Sequence, residues 1–568
     1  MLGSLVRRLL HGTRASVDDA RAFEAAGDVA AAERVYRGLL AMDPMNTAAL
    51  HGLGAMLGRS GRFAEAVALL ERAVQVTGDH NAATVDLGNA YWLAGQHEAA
   101  ERAYLDAISA GHAGAGVHMN LGLLYRSRER PAAALDAFRR AYALEPERPD
   151  LLKNIVVLLL EAQDAAQALA LCEAAAANGR DDDELLLSLG FALQKMHRPR
   201  EALAAYARAL AHCPDDAELH NNLAIALQDL GEFERAALHY ERAIALKPDF
   251  RLARWHRSIL RLLQGDFVHG WEDYDLRLAS REVPARVHRA APWNGEALDG
   301  RVVLAYGEQG LGDEIMFAGC LPDLATRARH VVVEASPRLA ALFAQSFPFA
   351  TVVTAADVPP PHPGPGGAAV EIPVGSLPQL FRRRREDFPA HTGYLRADPA
   401  RVAAWRDRLA GLGPGLRIGL SWQGGTPRTR RGLRSLSLEA LLPLLRRRPA
   451  CFVNLQYGEV DAEIEALESA QGVRLQRWPE AVADFAESAA LVCALDLVIS
   501  VCNTNVHLAG ALGRPVWVLA PHVPEWRYGI AGAGMPWYPS ARMFRQPADG
   551  DWNSVIAAAT QALRGYGL

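Results

Sequence analysis

The chain is poor in cysteine, and what it has is unpaired. Six cysteines (Cys172, Cys213, Cys320, Cys451, Cys493 and Cys502) are scattered through 568 residues without a CxxC pair. That favours a reduced, cytoplasmic chain over a disulfide framework. No HExxH, His/Cys cluster or DxD triplet offers metal-ligand spacing, so no metal is expected. An excess of one charge is also missing. Sixty Lys and Arg against 65 Asp and Glu leave a net charge of −5, too small to call for a polyanionic partner, and nucleic acid is not expected. No run of about 18 uncharged apolar residues exists, so no transmembrane segment is expected. The opening MLGSLVRRLLHG has arginines inside its apolar stretch and no small-residue cleavage pattern. It reads as a leader (1–12) rather than a signal peptide. With half its residues hydrophobic, the chain has material for roughly three to four domains of ~150 residues each.

What is present in the first half is a period. Pro44, Pro146, Pro214 and Pro248 are separated by multiples of 34, and Gly78, His112 and Arg180 fill the missing terms. Twelve residues before each stands an alanine (Ala32, Ala66, Ala100, Ala134, Ala168, Ala202, Ala236), followed four residues later by Tyr36, Leu70, Tyr104, Phe138, Cys172, Tyr206 or Tyr240. Leu53-Gly54, Leu87-Gly88, Leu121-Gly122 and Leu189-Gly190 keep register in the preceding helix. Small residues let the two helices of a hairpin approach, and the large residue fills the gap beside them. Seven units over residues 13–250 match the tetratricopeptide (TPR) pattern, an α-solenoid. The position before each first-helix leucine or isoleucine is expected to face a concave groove, and it reads Gly52, Asp86, Asn120, Asn154, Ser188 and Asn222. Asn120, Asn154 and Asn222 resemble the asparagine ladder in the TPR groove of eukaryotic O-GlcNAc transferases, which implies binding of an extended peptide of an acceptor protein through its backbone. The plainer alternative is a polar face that is merely solvated.

Residues 251–290 begin like an eighth repeat and then read as capping helices and a junction. Beyond them, strand-like runs alternate with helical text: 301–306, 330–334, 350–354, 370–374, then, after a Pro/Gly-rich loop at 358–367 and a linker helix at 401–412, 417–422, 451–456, 497–501 and 515–520. This alternation predicts parallel sheets with helices on both faces, in two α/β halves, 291–400 and 401–568. Ligands of such sheets bind at the carboxyl ends of the strands.

Two loops at those ends carry candidate chemistry. GEQGLGD (307–313) is neither a GxGxxG fingerprint nor a Walker A loop. Gly310 and Gly312 permit close backbone approach there, and Asp313 opens the next helix, either as a favourable N-terminal charge or as a general base. In LVISVCNTNVHLAGALGRPVWVLAP (497–521), Asn503 or Thr504 caps a short helix whose start also holds Asn505 and His507. A nucleotide phosphate would suit that helix start, and an ordinary cap with a packed histidine is the alternative. GGTPRTRRGLRS supplies Arg428, Arg430, Arg431 and Arg434 as clamp candidates or solvated charges, whereas Arg382–Arg385 and Arg446–Arg448 read as surface.

The second half resembles the family 9 glycosyltransferases that include bacterial lipopolysaccharide heptosyltransferases. The likeness rests on GEQGLGDEIMF (307–317), SLP (376–378), GLSWQGG (419–425) with LRSLSLEAL (433–441), LQYG (455–458), and DLVISV with HLAGALGRPVWVL (496–519). It implies a GT-B architecture, two Rossmann-like domains, and metal-free transfer from a nucleotide-sugar, a co-substrate rather than a cofactor. Asp313 falls where the family has its acceptor-activating carboxylate. Donor binding falls on Gly310, Gly312, Gln423, Arg434, Gln456, Asn503, Thr504, Asn505, His507 and Gly510. Cys502 and Asn503 stand where the family carries an aspartate and then a serine or threonine, and the first helix lacks the arginine that the family's TPR-fused members often show near Gly319. The TPR fusion and the stretch PEWRYG with MPWYP (524–539) look most like bacterial flagellin-modifying TPR glycosyltransferases.

The resemblance therefore implies an inverting transferase acting on Ser or Thr of a TPR-bound protein, with flagellin as the candidate acceptor. A protein-binding scaffold or chaperone with a degenerate transferase half, and a lipopolysaccharide glycosyltransferase, are the alternatives.

Overall fold

The computed structural model describes residues 15–77, 82–148, 150–279, 290–355, 370–425, 431–447 and 449–566. The leader 1–12, Gly78, the loop 358–367, Arg428, Arg430 and Arg448 lie outside them. The chain divides into two compact units, Met1–Met196 and His197–Leu568.

The described residues of the first unit form helical hairpins. Its helices run Val17–Ala25, Val29–Met42, Thr47–Arg59, Phe63–Thr77, Ala82–Leu93, His97–Ser109, Ala115–Ser127, Pro131–Leu144, Leu151–Glu161, Ala165–Ala177 and Asp183–Lys195. Asp28, Asn46, Asp164 and Asp182 start four of them by accepting a backbone N–H in the first turn. The paired small and large residues do what the period predicts. A Cβ on Gly54 would lie 2.7 Å from Leu70, on Gly88 2.7 Å from Tyr104, and on Gly122 2.8 Å from Phe138. The turn inside each hairpin has its own 34-residue signal. Gly27, Gly61, Gly95, Glu129 and Gln163 all take a left-handed φ between 55° and 80°.

The second unit opens with the helices Pro199–His212, Ala217–Asp229, Phe233–Leu246 and Arg251–Gln264. His197, Gly231 and Gly265 continue the left-handed series. The last turn leads into a short helix, Phe267–Gly270, and a 3-10 turn, Tyr274–Ala279.

Two parallel sheets follow. The first contains β1 (Ala291–Pro292), β2 (Val302–Tyr306), β3 (His330–Glu334), β4 (Ala350–Val353) and β5 (Val370–Pro373) in the order β1-β5-β2-β3-β4. The second contains β6 (Leu416–Ser421), β7 (Ala450–Asn454), β8 (Leu475–Gln476), β9 (Leu497–Val501), β10 (Val516–Ala520) and β11 (Ala541–Arg545) in the order β11-β10-β9-β6-β7-β8. Every pairing in both sheets is parallel. The central strands β9 and β10 are buried along their whole length, which explains their unbroken apolar text. Strands β1, β8 and β11 were not predicted. The first two have only two residues each, and β11 (ARMFR) breaks its apolar pattern with two arginines.

The surface reading of Arg382–Arg385 is corrected at Arg382. The arginines 382–385 are not a solvated helix face, because the helix Pro378–Phe381 ends before them. Arg382 is buried, donating to the Gly319 carbonyl at 3.0 Å and Asp323 at 2.7 Å. No helix among the described residues is long and apolar enough to cross a membrane.

Candidate functional site

The candidate residues of the α/β region lie at the carboxyl ends of β2, β6, β7 and β9. After β2 the chain turns through Gly307–Gly310 into the helix Leu311–Phe317; after β9, through Cys502 and Asn503 into the helix Thr504–Ala511. These two helix starts abut. A Cβ on Gly312 would lie 3.0 Å from His507 Cδ2 and 3.5 Å from Thr504 Oγ1. Glycine at 312 keeps this approach of the two helix starts free of a tight contact.

Asp313 stands at this meeting point, and its partner is a residue the sequence did not single out. Arg527 Nε and Nη2 both lie 2.5 Å from Asp313 Oδ1. Burial works against the charge on Arg527, but Asp313, Tyr274 and Glu525 outweigh it and hold the guanidinium firmly protonated. Two residues earlier, Glu525 takes Arg434 in a second ion pair. Among the described residues, Glu525 Oε2 is buried without a hydrogen-bond partner.

The turn Trp526–Tyr528 carries these groups, and each of its side chains reaches a different element. Trp526 packs edge-on against Trp271 at 5.4 Å, Tyr274 at 5.5 Å and Trp537 at 6.4 Å, and stacks on Phe317 at 6.3 Å. Tyr528 meets His507 Nε2 through its hydroxyl at 3.2 Å, while the Tyr538 hydroxyl lies 3.1 Å from Nδ1. His507 is thus held between two phenols. Burial, and then Arg527 and Arg434, push its imidazole down to about 3, so it is neutral and donates from one nitrogen while accepting at the other. Gly510 is required by the same packing, because a Cβ there would lie 2.3 Å from the Tyr538 ring.

A second group of candidates is bound to itself. Gln456 Oε1 accepts from Ser421 Oγ at 2.9 Å and from the backbone N–H of Trp422 and Gln423 at 3.1 and 2.9 Å. It thereby ties the end of β7 to the end of β6. Gln423 donates to Glu463 at 3.2 Å and accepts from Arg431. Asn503 donates to Ser421 Oγ at 2.7 Å and to the Gln423 carbonyl at 3.1 Å, and accepts from Ser500 Oγ and the Asn505 N–H, both at 2.9 Å. It is therefore both the helix cap and a strap between β9 and β6. Asn505 donates to the Leu455 carbonyl at 2.9 Å. Cys502 is completely buried, and burial pushes its thiol well above the usual range.

A network that the sequence did not reveal braces the GEQG loop. Arg277 and Glu308, with 3% and 4% of their side chains exposed, pair at 2.7 Å. Arg277 also donates to Ser376 Oγ at 3.1 Å, and Ser376 donates to Asp275 at 2.6 Å. The SLP serine is thereby part of the scaffold beneath the loop. Nothing in the text around Arg277 distinguishes it from the other arginines of the junction.

The groove asparagines are partnered. Asn120, in the first unit, donates to Asn89 Oδ1 at 2.8 Å. Asn154, in the same unit, is buried, donating to the Asp150 carbonyl at 2.7 Å and accepting from Arg126. Asn222, in the second unit, is buried and accepts from Asn221 at 3.3 Å.

Comparison with known proteins places the repeats. One tetratricopeptide repeat model matches residues 46–111 and 181–249, and a second such model matches residues 119–183. Protein FlbA of Caulobacter vibrioides is 29% identical over 558 residues, 95% of this chain and 88% of FlbA. Cellulose synthase operon protein C of Xanthomonas axonopodis pv. citri is 30% identical over 154 residues, 25% of this chain and 10% of that protein. A crystal structure of a tetratricopeptide repeat protein from Parabacteroides merdae, 17% identical, covers 43% of this chain and 96% of its own with a TM-score of 0.34. Residues 46–111, 119–183 and 181–249 are tetratricopeptide repeats, in a chain similar along 95% of its length to a bacterial protein.

Proposed function

We propose that the chain is a glycosyltransferase of GT-B type that moves a sugar from a nucleotide-sugar, without a metal, to Ser or Thr of a protein recruited by its repeats. The observation that carries this reading is the abutment of Gly312 with Thr504 and His507. It joins strand-end loops of two parallel sheets, the part of such sheets that takes ligands. Asp313 at that junction is the general base for the acceptor hydroxyl. Arg434, with the start of the helix Thr504–Ala511, stabilises the departing phosphate charge. TPR repeats are protein-binding surfaces, and flagellin is the first acceptor to try.

Intact-mass measurement of flagellin from cells with the wild-type chain, the Asp313→Ala variant or neither is the test. A mass increment of one sugar should appear with the wild type and vanish with the variant. Full modification by Asp313→Ala would remove Asp313 from the base role. No increment on any candidate acceptor, with no rise in melting temperature from UDP, GDP, ADP or CMP, would remove the transferase reading.

One observation favours the scaffold reading instead. Gln456, Asn503 and Asn505 spend their side chains on internal bonds, and Cys502 has lost the carboxylate of the resembled family. The flat nucleotide response just named is the outcome that reading expects.

A further inference from the structure

The site contains two arginine–carboxylate pairs joined by one turn, Asp313–Arg527 and Glu525–Arg434. Both guanidiniums lie close enough to His507 to depress its protonation. Both pairs are largely shielded from solvent, with side-chain exposures of 16% and 18% for Asp313 and Arg527, and 21% and 12% for Glu525 and Arg434. Ion pairs withdrawn from water to this degree recover their desolvation cost only when their remaining lone pairs are satisfied. Here they are not all satisfied, since Glu525 Oε2 is a buried orphan. The turn itself is fixed, because Trp526 is embedded among Trp271, Tyr274, Phe317 and Trp537.

We propose that Asp313 and Glu525 stand in for the ligand: Arg527 and Arg434 form a two-arginine clamp for a diphosphate, which binds by displacing the two carboxylates. The ligand class, a nucleoside diphosphate moiety, rests on the transferase reading. A diphosphate offers several anionic oxygens and accepts bidentate N–H donation, so it can replace one carboxylate on each guanidinium. The exchange has a consequence for Asp313. While Arg527 holds it, Asp313 Oδ1 is committed to two guanidinium nitrogens; once the diphosphate draws Arg527 away, that oxygen is released toward the acceptor hydroxyl. Base activity is thereby coupled to donor binding, which protects the site from acting without a donor.

Removing a competing carboxylate should tighten anion binding, a sign that neither misfolding nor loss of a direct ligand contact produces. Isothermal titration of the full chain with inorganic pyrophosphate and with UDP, GDP and ADP tests this. Asp313→Asn and Glu525→Gln should each lower Kd by about tenfold, the scale of one partly buried charge pair, and Arg527→Met should raise it by a similar factor. Pyrophosphate or nucleotide binding that Asp313→Asn and Glu525→Gln leave unchanged or weaken would overturn the exchange while sparing the transferase reading. Tighter pyrophosphate binding by both variants, with no acceptor ever modified, would keep the clamp and dismiss the transferase. Absence of binding by every probe in every variant would overturn the clamp.

Discussion

Arg527 and Asp313, 214 residues apart in sequence, meet with two guanidinium nitrogens 2.5 Å from a single carboxylate oxygen. The pair holds because the turn carrying Arg527 cannot tilt. Trp526 beside it is buried against the junction residues Trp271 and Tyr274 and against Phe317 of the helix that carries Asp313, and the Arg527 guanidinium lies 5.0 Å over the Trp526 ring. The aromatic cluster aims the charges.

Trp526→Ala should therefore destabilise the second unit by about 3–5 kcal/mol, the cost of emptying a large aromatic site in a packed core. Trp526→Phe should recover a good part of that. Urea denaturation followed by tryptophan fluorescence is the measurement. A loss below about 1 kcal/mol for the alanine variant would mean that the cluster does not anchor the turn.

Acid sensitivity follows from His507. The native imidazole is held down to about 3, whereas in the unfolded chain it titrates near 6.5. Below about pH 6.5 the unfolded state binds a proton that the folded state refuses, so stability falls as pH falls from there toward 3. At pH 5 the loss is about 2 kcal/mol from this group. His256, pushed down to about 4 by burial, adds to it in the same direction. Melting temperatures from pH 7.5 to 5 should fall, and His507→Gln should flatten the slope. An unchanged slope in that variant would assign the acid loss elsewhere.

Gly312 and Gly510 are glycines for different reasons, and alanine should separate them. At 312 the new methyl meets the edge of an imidazole at 3.0 Å, and His507 can yield by a few tenths of an ångström. At 510 it meets the Tyr538 ring at 2.3 Å, a ring that is itself completely buried. Gly510→Ala should cost about 3 kcal/mol or more, at or beyond the upper end of overpacking penalties, and Gly312→Ala about 1 kcal/mol. The midpoints of urea unfolding give the ranking, and equal losses at the two positions would contradict it.

Much of this architecture was legible in the text. The small-and-large pairs Gly88–Tyr104 and Gly122–Phe138 are local consequences of one helix lying on the next, so they recur at a fixed spacing. The core strands β9 and β10 could be read because burial on both faces leaves only apolar residues. The site was legible only in halves. Asp313 and His507 sit at strand ends, which sequence patterning can locate. Their partners Arg527, Tyr528 and Tyr538 come from the irregular stretch 524–539, which stands out in the sequence only by resemblance, because tertiary packing assigns its residues and no period marks which of them reach the site. Arg382 failed for the converse reason: a run of four arginines looks solvated, and no pattern says which one turns inward to Asp323.

The hairpin turns of the first unit offer a test of that local logic. Glycine occupies the left-handed position at 27, 61 and 95, but Glu129 and Gln163 hold the same place at φ 55° and 63°. A side chain there brings Cβ against the following carbonyl at a cost of about 1–2 kcal/mol. Glycine would remove that strain, but it would also widen the unfolded ensemble at a cost of about 0.5–1 kcal/mol. Strain is the larger quantity, so Glu129→Gly and Gln163→Gly should each stabilise the first unit by about 0.5–1 kcal/mol. The reverse change, Gly61→Ala, should destabilise it by a similar or larger amount, because it adds strain and gains only chain stiffness. Chemical denaturation of the full chain, followed by helical circular dichroism, reads all three. Destabilisation by both glycine variants would mean that the side chains at 129 and 163 make contacts worth more than the strain they impose.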